Sequence, residues 1–143
     1  MTAAGHARRT AAFAIDAALA ALVALLLALI FGVFETAIAY LEQFRLRVGL
    51  VGLAGYLLAH GWFLSQGRSV GKRLLGLVVI AQSDGAPAKL PRMLVRMLPL
   101  ALVLFLPPVW ALAAFAVNLL PAGFGERRAL HDYLAGTRVS RLA

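Results

Sequence analysis

RRTAAFAIDAALAALVALLLALIFGVF, Arg8 to Phe34, decides the fold. Beyond Arg9, its only charged residue is Asp16. The apolar block runs from about Ala11 to Ile38 and exceeds the ~20 residues that a helix needs to cross a bilayer. A cleavable signal peptide is the rival reading, given the basic pair in front of it. The block is too long for an apolar region of ~7–15 residues, and further apolar blocks follow it.

The whole chain has the same character. It has 143 residues, 62% of them hydrophobic, with a mean hydropathy of +0.87. A soluble domain is nearer ~45–50% apolar. So few polar side chains cannot cover so many apolar ones, and lipid must solvate much of the surface. The length suits one compact membrane domain over residues 1–143,. The absence of cysteine excludes a disulfide framework, thiolate catalysis and thiolate metal sites. A net charge of +8 would, taken alone, suit nucleic acid. The basic residues instead flank apolar blocks, where cytoplasmic anchors meet anionic headgroups, so lipid and not nucleic acid is the expected partner.

Two more apolar blocks follow. Val48 to Leu64 is just long enough to cross, and it carries Gly49, Gly52, Gly55 and Ala59 at helical spacings. Such a stripe of small residues lets another helix approach closely. The third block, Met93 to Leu120, contains Pro99 and the pair Pro107-Pro108. A continuous helix would lose backbone donors there, so it should break near the pair. The membrane segments are therefore expected at about 8–38, 46–65, 92–106 and 109–121, with a linker at 66–91 and a tail at 122–143.

The basic residues fix an expected orientation. The first linker balances Glu35 and Glu42 against Arg45 and Arg47. The second holds Arg68, Lys72, Arg73, Lys89 and Arg92 against Asp84 alone. Arg8 and Arg9 lie at the N-terminal end, and Arg127, Arg128, Arg138 and Arg141 at the C-terminal end. The positive-inside rule places all three basic regions in the cytoplasm. The third block must then enter and return, as two short helices hinged at Pro107-Pro108 or as a re-entrant hairpin. The alternative is one kinked span with an external C-terminus. The fold class is thus an all-α polytopic membrane protein, a bundle of three to four membrane segments.

In the second linker, SVGKRLLG reads as a short amphipathic helix capped by Ser69,. It would turn Lys72 and Arg73 outward and set Val70, Leu74 and Leu75 against the membrane. GLVVI reads as a strand and SDGAP as a hairpin turn,. TRVSRL, Thr137 to Leu142, is a second strand able to pair with GLVVI. A short cytoplasmic β-hairpin is expected, and no internal repeat is evident.

RRTAAFAID with Arg9 and Asp16, then QGRSVGKRLLGLVVIAQSDGAPAKL, then LHDYLAGTRV with Asp132 together resemble the RDD family of small bacterial membrane proteins. That family is named for one arginine and two aspartates, and the three motifs occur here in its order. Arg68-Ser69-Val70 departs from the Gln-Thr-Leu common in such proteins. The resemblance implies a small bacterial membrane protein, which with the apolar blocks and the charge bias gives a multi-pass protein of the bacterial inner membrane with a cytoplasmic N-terminus. It implies no settled activity. Ligand transport has been proposed for the family, and sodium/proton antiport for some members.

Seven helical residues turn through about 700°, so Arg9 and Asp16 share a face about 10 Å apart. Helical side chains lean toward the N-terminus, so the arginine points away from the acid. Asp16 lies about two turns into the block, where an unpaired carboxylate costs ~2.5–3.5 kcal/mol. Its candidate partners are Arg96, Arg92 and Lys72, which leaves Asp132 to meet Arg9 or Arg128. This cluster reads either as a buried polar clasp or as a site for a sodium ion or proton. His60 is a candidate proton relay, against the plainer role of bonding a carbonyl. His131 beside Asp132 is an acid–base candidate, against capping or packing. Asn118 is expected to satisfy a helix contact, and Glu35 and Glu42 to be solvated. No phosphate loop, zinc motif or nucleophile elbow occurs, so no enzyme, cofactor or metal site is expected. Two classes remain. One is a small ion- or proton-coupled transporter using Asp16. So few short spans make a poor pore unless several copies assemble as a homo-oligomer, for which the glycine stripe would supply an interface. The other class is a non-transporting membrane-complex subunit or assembly factor whose basic cytoplasmic face binds lipid headgroups or a partner.

Overall fold

The computed structural model describes residues 2–3, 5–36, 40–120 and 128–141. The end of the first block at Ile38, Arg127 and most of the start of the tail, and Leu142 of TRVSRL lie outside them. In chain order the elements are β1 (Thr2–Ala3), α1 (His6–Ile30), a 3₁₀ turn (Val33–Thr36), α2 (Leu41–Leu64), α3 (Val70–Leu74), β2 (Leu77–Ala81), α4 (Leu90–Val103), α5 (Pro108–Leu119), α6 (Leu130–Leu134) and β3 (Thr137–Arg141).

Among the described residues, α1 and α2 are the two helices long and apolar enough to cross a membrane. α1 stops at Ile30, short of residue 38, because Gly32 turns the chain with φ at 60°. α2 starts at Leu41, a turn before the expected segment, through the polar stretch LEQFRLR. Much of their apolar surface has no protein over it; Ile30 is 74% exposed and Trp62 76%. Such surface suits a lipid surround.

The glycine stripe works inside the chain. A Cβ on Gly55 would lie 2.8 Å from the Ala24 amide nitrogen and 3.0 Å from the Ala20 carbonyl oxygen. On Gly49 it would lie 2.7 Å from the Phe105 ring. These positions seat α1 and the tip of α4–α5, so they do not offer the open face between copies that the stripe suggested.

The third block does break. α4 ends at Val103, and α5 begins on Pro108 with Pro107 as its N-cap. Proline at the first helical position sacrifices no bond. Fourteen and twelve residues reach only ~21 and ~18 Å at 1.5 Å per residue. Arg45 ties their tip to α2, with Nη1 on Glu42 at 2.8 Å and Nη2 on the Phe105 carbonyl at 3.4 Å.

The expected hairpin is instead a three-stranded sheet of order β1-β3-β2, antiparallel throughout. GLVVI pairs with β3, while a single bridge, Ile80 to Pro87, crosses the SDGAP turn. Asp84 accepts the Ala86 amide there and Gly85 takes φ of 70°. β2 is buried along its whole length. Leu77, Val79 and Val139 pack on Ala12, Leu64, Ala88 and Met93, which joins the sheet to the start of α1, the end of α2 and the start of α4.

Candidate functional site

Beneath the sheet lie two buried carboxylates. Asp16 is 3% exposed and Asp132 wholly buried. An ionised carboxylate in such a place persists only when its oxygens are met by donors.

Asp16 meets its donors in the second linker. Ser69 Oγ donates to Oδ2 at 2.5 Å and the Gly71 amide to Oδ1 at 2.7 Å. Lys72 Nζ lies 3.5 Å from Oδ2 and donates to Ser69 Oγ at 3.1 Å. Ser69 is the N-cap residue of α3 but makes no cap bond of its own. The first-turn amide of α3 is capped instead by an acid from another helix, in the position where a helix favours negative charge. Gly71 permits this approach, since a Cβ there would overlap the Ala12 carbonyl oxygen. Lys72 is therefore turned inward, correcting the outward orientation expected of the amphipathic helix. Arg73 remains exposed, with its guanidinium 5.1 Å from the centre of the Phe63 ring.

His60 completes this half. Its Nε2 donates to the Asp16 carbonyl oxygen at 3.2 Å, and its Nδ1 accepts the Val70 amide at 3.5 Å. Its ring also packs on Tyr56, 4.5 Å between centroids.

Asp132 gathers the arginines. Arg96 Nη1 lies 2.5 Å from Oδ1 and Arg9 Nη2 3.1 Å from Oδ2. The Ala129 amide and the Thr137 hydroxyl donate at 3.2 and 3.4 Å. Arg96 is thus the partner of Asp132, not of Asp16. Arg92 joins neither acid and donates to Ser83 Oγ at 3.1 Å. Arg128 donates to the carbonyl oxygens of Thr137 and Asp132 and lies over the Tyr133 ring.

His131 stands between Asn118 and Arg96. Its amide and its Nδ1 both donate to Asn118 Oδ1, at 3.1 and 3.0 Å. Nε2 accepts from Arg96 Nη2 at 3.2 Å. That pattern requires a neutral ring. Burial first, and then the nearby Arg96 charge, push its pKa down to about 3,. Asn118 caps α6 from α5, much as Asp16 caps α3 from α1. Composition held no signal for these cross-caps.

The two sites are electrically linked through Lys72. Burial and the Arg96 charge push its pKa down to about 8, while Asp16 and Asp132 pull the other way,. Among the described residues, no group of three His, Cys, Asp or Glu could hold a metal ion.

The family model for the RDD family matches residues 3–136, a span that includes Arg9, Asp16 and Asp132. This chain belongs to the RDD family. No curated protein and no solved structure matches it. As an RDD-family chain with two long apolar helices, it is a helical membrane protein. The arginine and two aspartates that carried the resemblance divide between the two sites, with Asp16 in one and Arg9 and Asp132 in the other.

Proposed function

We propose that this RDD-family protein exchanges a monovalent cation for a proton at the Asp16–Lys72 pair, on the cytoplasmic edge of a bacterial inner membrane. The observation that carries the reading is the contact of Lys72 Nζ with Asp16 Oδ2 at 3.5 Å, combined with a lysine whose pKa has come down to about 8. A sodium ion arriving at the carboxylate replaces the ammonium, and the displaced lysine loses its proton readily near that pH. Charge at Asp16 is conserved through the step.

The orientation belongs to the same proposal. β1, β2 and β3 come from the N-terminus, the second linker and the C-terminus, and one sheet lies on one side of a bilayer. With the arginine and lysine bias, that side is the cytoplasm. α1 and α2 cross, and α4–α5 dips in and returns. Asp16 then sits level with the end of α2, roofed by α3, shallower than its depth in the apolar block suggests.

A second reading has its own support. Asp16 has donors on both oxygens, as a clasp holding α3 to α1 would, in a non-transporting subunit whose exposed Arg8, Arg73, Lys89, Arg138 and Arg141 meet anionic lipid or a partner. Purified protein in liposomes with a pH gradient separates the two. Exchange predicts sodium-dependent collapse of the gradient, lost in Asp16→Asn and shifted in pH optimum by Lys72→Arg. No collapse by the folded wild type, or equal rates in Asp16→Asn, overturns exchange in favour of the clasp.

A further inference from the structure

Two stretches of the chain have one build. Val70–Leu74 and Leu130–Leu134 are both five-residue helices. Each leads into a glycine of positive φ, Gly76 at 66° and Gly136 at 59°. A five-residue strand follows in both. Helix, glycine and strand all recur after the same shift of 60 positions. SVGKRLLGLVVIA and ALHDYLAGTRVSR share Leu74 with Leu134, Gly76 with Gly136 and Val79 with Val139. Three identities in such a span pass unnoticed in the sequence alone.

The packing repeats as well. α3 touches α1, α2 and β2, and α6 touches α4, α5 and β3. α1 packs on α2 as α4 packs on α5. His60 of α2 meets the first turn of α3, and Asn118 of α5 meets the first turn of α6.

The strand register supplies an independent check. Val79 lies opposite Val139, Leu77 opposite Arg141 and Ala81 opposite Thr137. A twofold axis between Val79 and Val139 exchanges Leu77 with Thr137 and Ala81 with Arg141. Those are the residues that the shift of 60 equates. A register slipped by one residue would break the match and turn every side chain to the other face.

We propose that the chain is an internal duplication, with half-units α1-α2-α3-β2 and α4-α5-α6-β3 related by a pseudo-twofold axis through the Val79–Val139 pair, and that each half holds an ion pair of its own, opposite in polarity, at their junction. Arg9 of the first half reaches across to Asp132. In the first half the long helix supplies the acid, Asp16, and the third residue of the short helix supplies the base, Lys72. In the second, the long helix supplies the base, Arg96, and the equivalent third residue is the acid, Asp132. Identical halves would set like charges at positions 72 and 132. The inverted polarity makes them attract. An axis perpendicular to an antiparallel pair preserves direction along itself, so α4–α5 leaves the sheet on the same side as α1–α2. It is the shortened counterpart of the spanning pair. This inference does not depend on whether the protein transports anything.

A saturation mutational scan of the full-length chain tests it, read as the amount of folded protein in the membrane by a C-terminal fluorescent fusion. Tolerance profiles over residues 69–81 and 129–141 are compared at every shift near 60. The duplication predicts the best correlation at 60, with positions 72 and 132 standing apart as basic-only and acidic-only. A better correlation at another shift, or none at any, overturns it. The chain has no cysteine, so paired cysteines test the axis directly. Leu77→Cys with Arg141→Cys, and Ala81→Cys with Thr137→Cys, should crosslink to similar extents. Crosslinking in a slipped register overturns the axis.

Discussion

Asp132→Asn should be among the most damaging single-atom changes available to this protein. The side chain has no exposure and faces two guanidinium groups, Arg96 at 2.5 Å and Arg9 at 3.1 Å. It also takes the Ala129 amide and the Thr137 hydroxyl. Asparagine keeps one acceptor oxygen and replaces the other with an NH₂, which then points at a donor on whichever side it is placed. Removing one partner from a buried ion pair costs ~3–5 kcal/mol. A total stability of ~5–15 kcal/mol leaves little margin for that loss. At ~2–4 °C per kcal/mol for a chain near this size, the melting point should fall by roughly 6–20 °C. The assay is thermal unfolding of purified, detergent-solubilised protein. Glu42→Gln provides the comparison, because the Glu42 side chain is 83% exposed in its pair with Arg45 and such pairs are worth ~0–1 kcal/mol. Equal melting points for Asp132→Asn and Glu42→Gln would refute the argument that Asp132 neutralises a buried arginine pair.

Gly55→Ala should lower stability and loosen α1 from α2, since the added Cβ meets Ala20 and Ala24 backbone atoms that cannot swing aside. Gly61→Ala, with nothing within 4 Å, should leave the melting point at or slightly above the wild-type value. Lys72 has a folded pKa of about 8 against 10.5 when unfolded, so between those values the unfolded chain holds more protons. Stability should therefore rise with pH across that window by roughly 3 kcal/mol, and Lys72→Met should flatten the rise. His131 takes up a proton near 6.5 when unfolded but resists to about 3 when folded. Its contribution is lost as pH falls from 6.5 toward 3, and wild-type and His131→Gln melting curves should converge over that range.

The legible part of this fold was the part written in apolar runs and proline. Long uncharged stretches give α1 and α2, and Pro107-Pro108 gives the break, because lipid solvation and missing amide donors act on local sequence. GLVVI and TRVSR were legible as strands for the same local reason. Their partnership with β1 was not, because residues 2–3 carry no strand signal and pair only once β3 is present. The polar cluster was half legible. Its members could be named from their rarity in an apolar chain, but their pairing could not. Arg96 went to Asp132 and Lys72 turned inward because α3 and α6 are both placed by caps from other helices, Asp16 and Asn118, a contact that neither short helix records in its own sequence.

Those caps explain why an aspartate stands inside the first apolar run. α3 and α6 are five residues long, too short to be stable alone. Their first-turn amides would be buried under the sheet without partners. A carboxylate reaching out of α1 satisfies the Gly71 amide and the Ser69 hydroxyl at once, and it fixes the angle at which α3 delivers β2 to the sheet. Asn118 does the same for α6 and β3 without a charge, and its side-chain Nδ2 remains unbonded. Asn118 meets the His131 amide without a charge, while the Ala129 amide goes to the Asp132 carboxylate. The Asp16 carboxylate also stands 3.5 Å from Lys72 Nζ. The charge at Asp16 can thus serve two roles, the cap on α3 and the pairing with Lys72. Asp16→Asn separates the two roles. The cap should survive through the remaining oxygen, with α3 still docked, while Lys72 loses its partner and its pKa falls further. A full loss of α3 docking in that variant would show that the charge itself makes the cap, and would remove the reason to assign Asp16 any role beyond it.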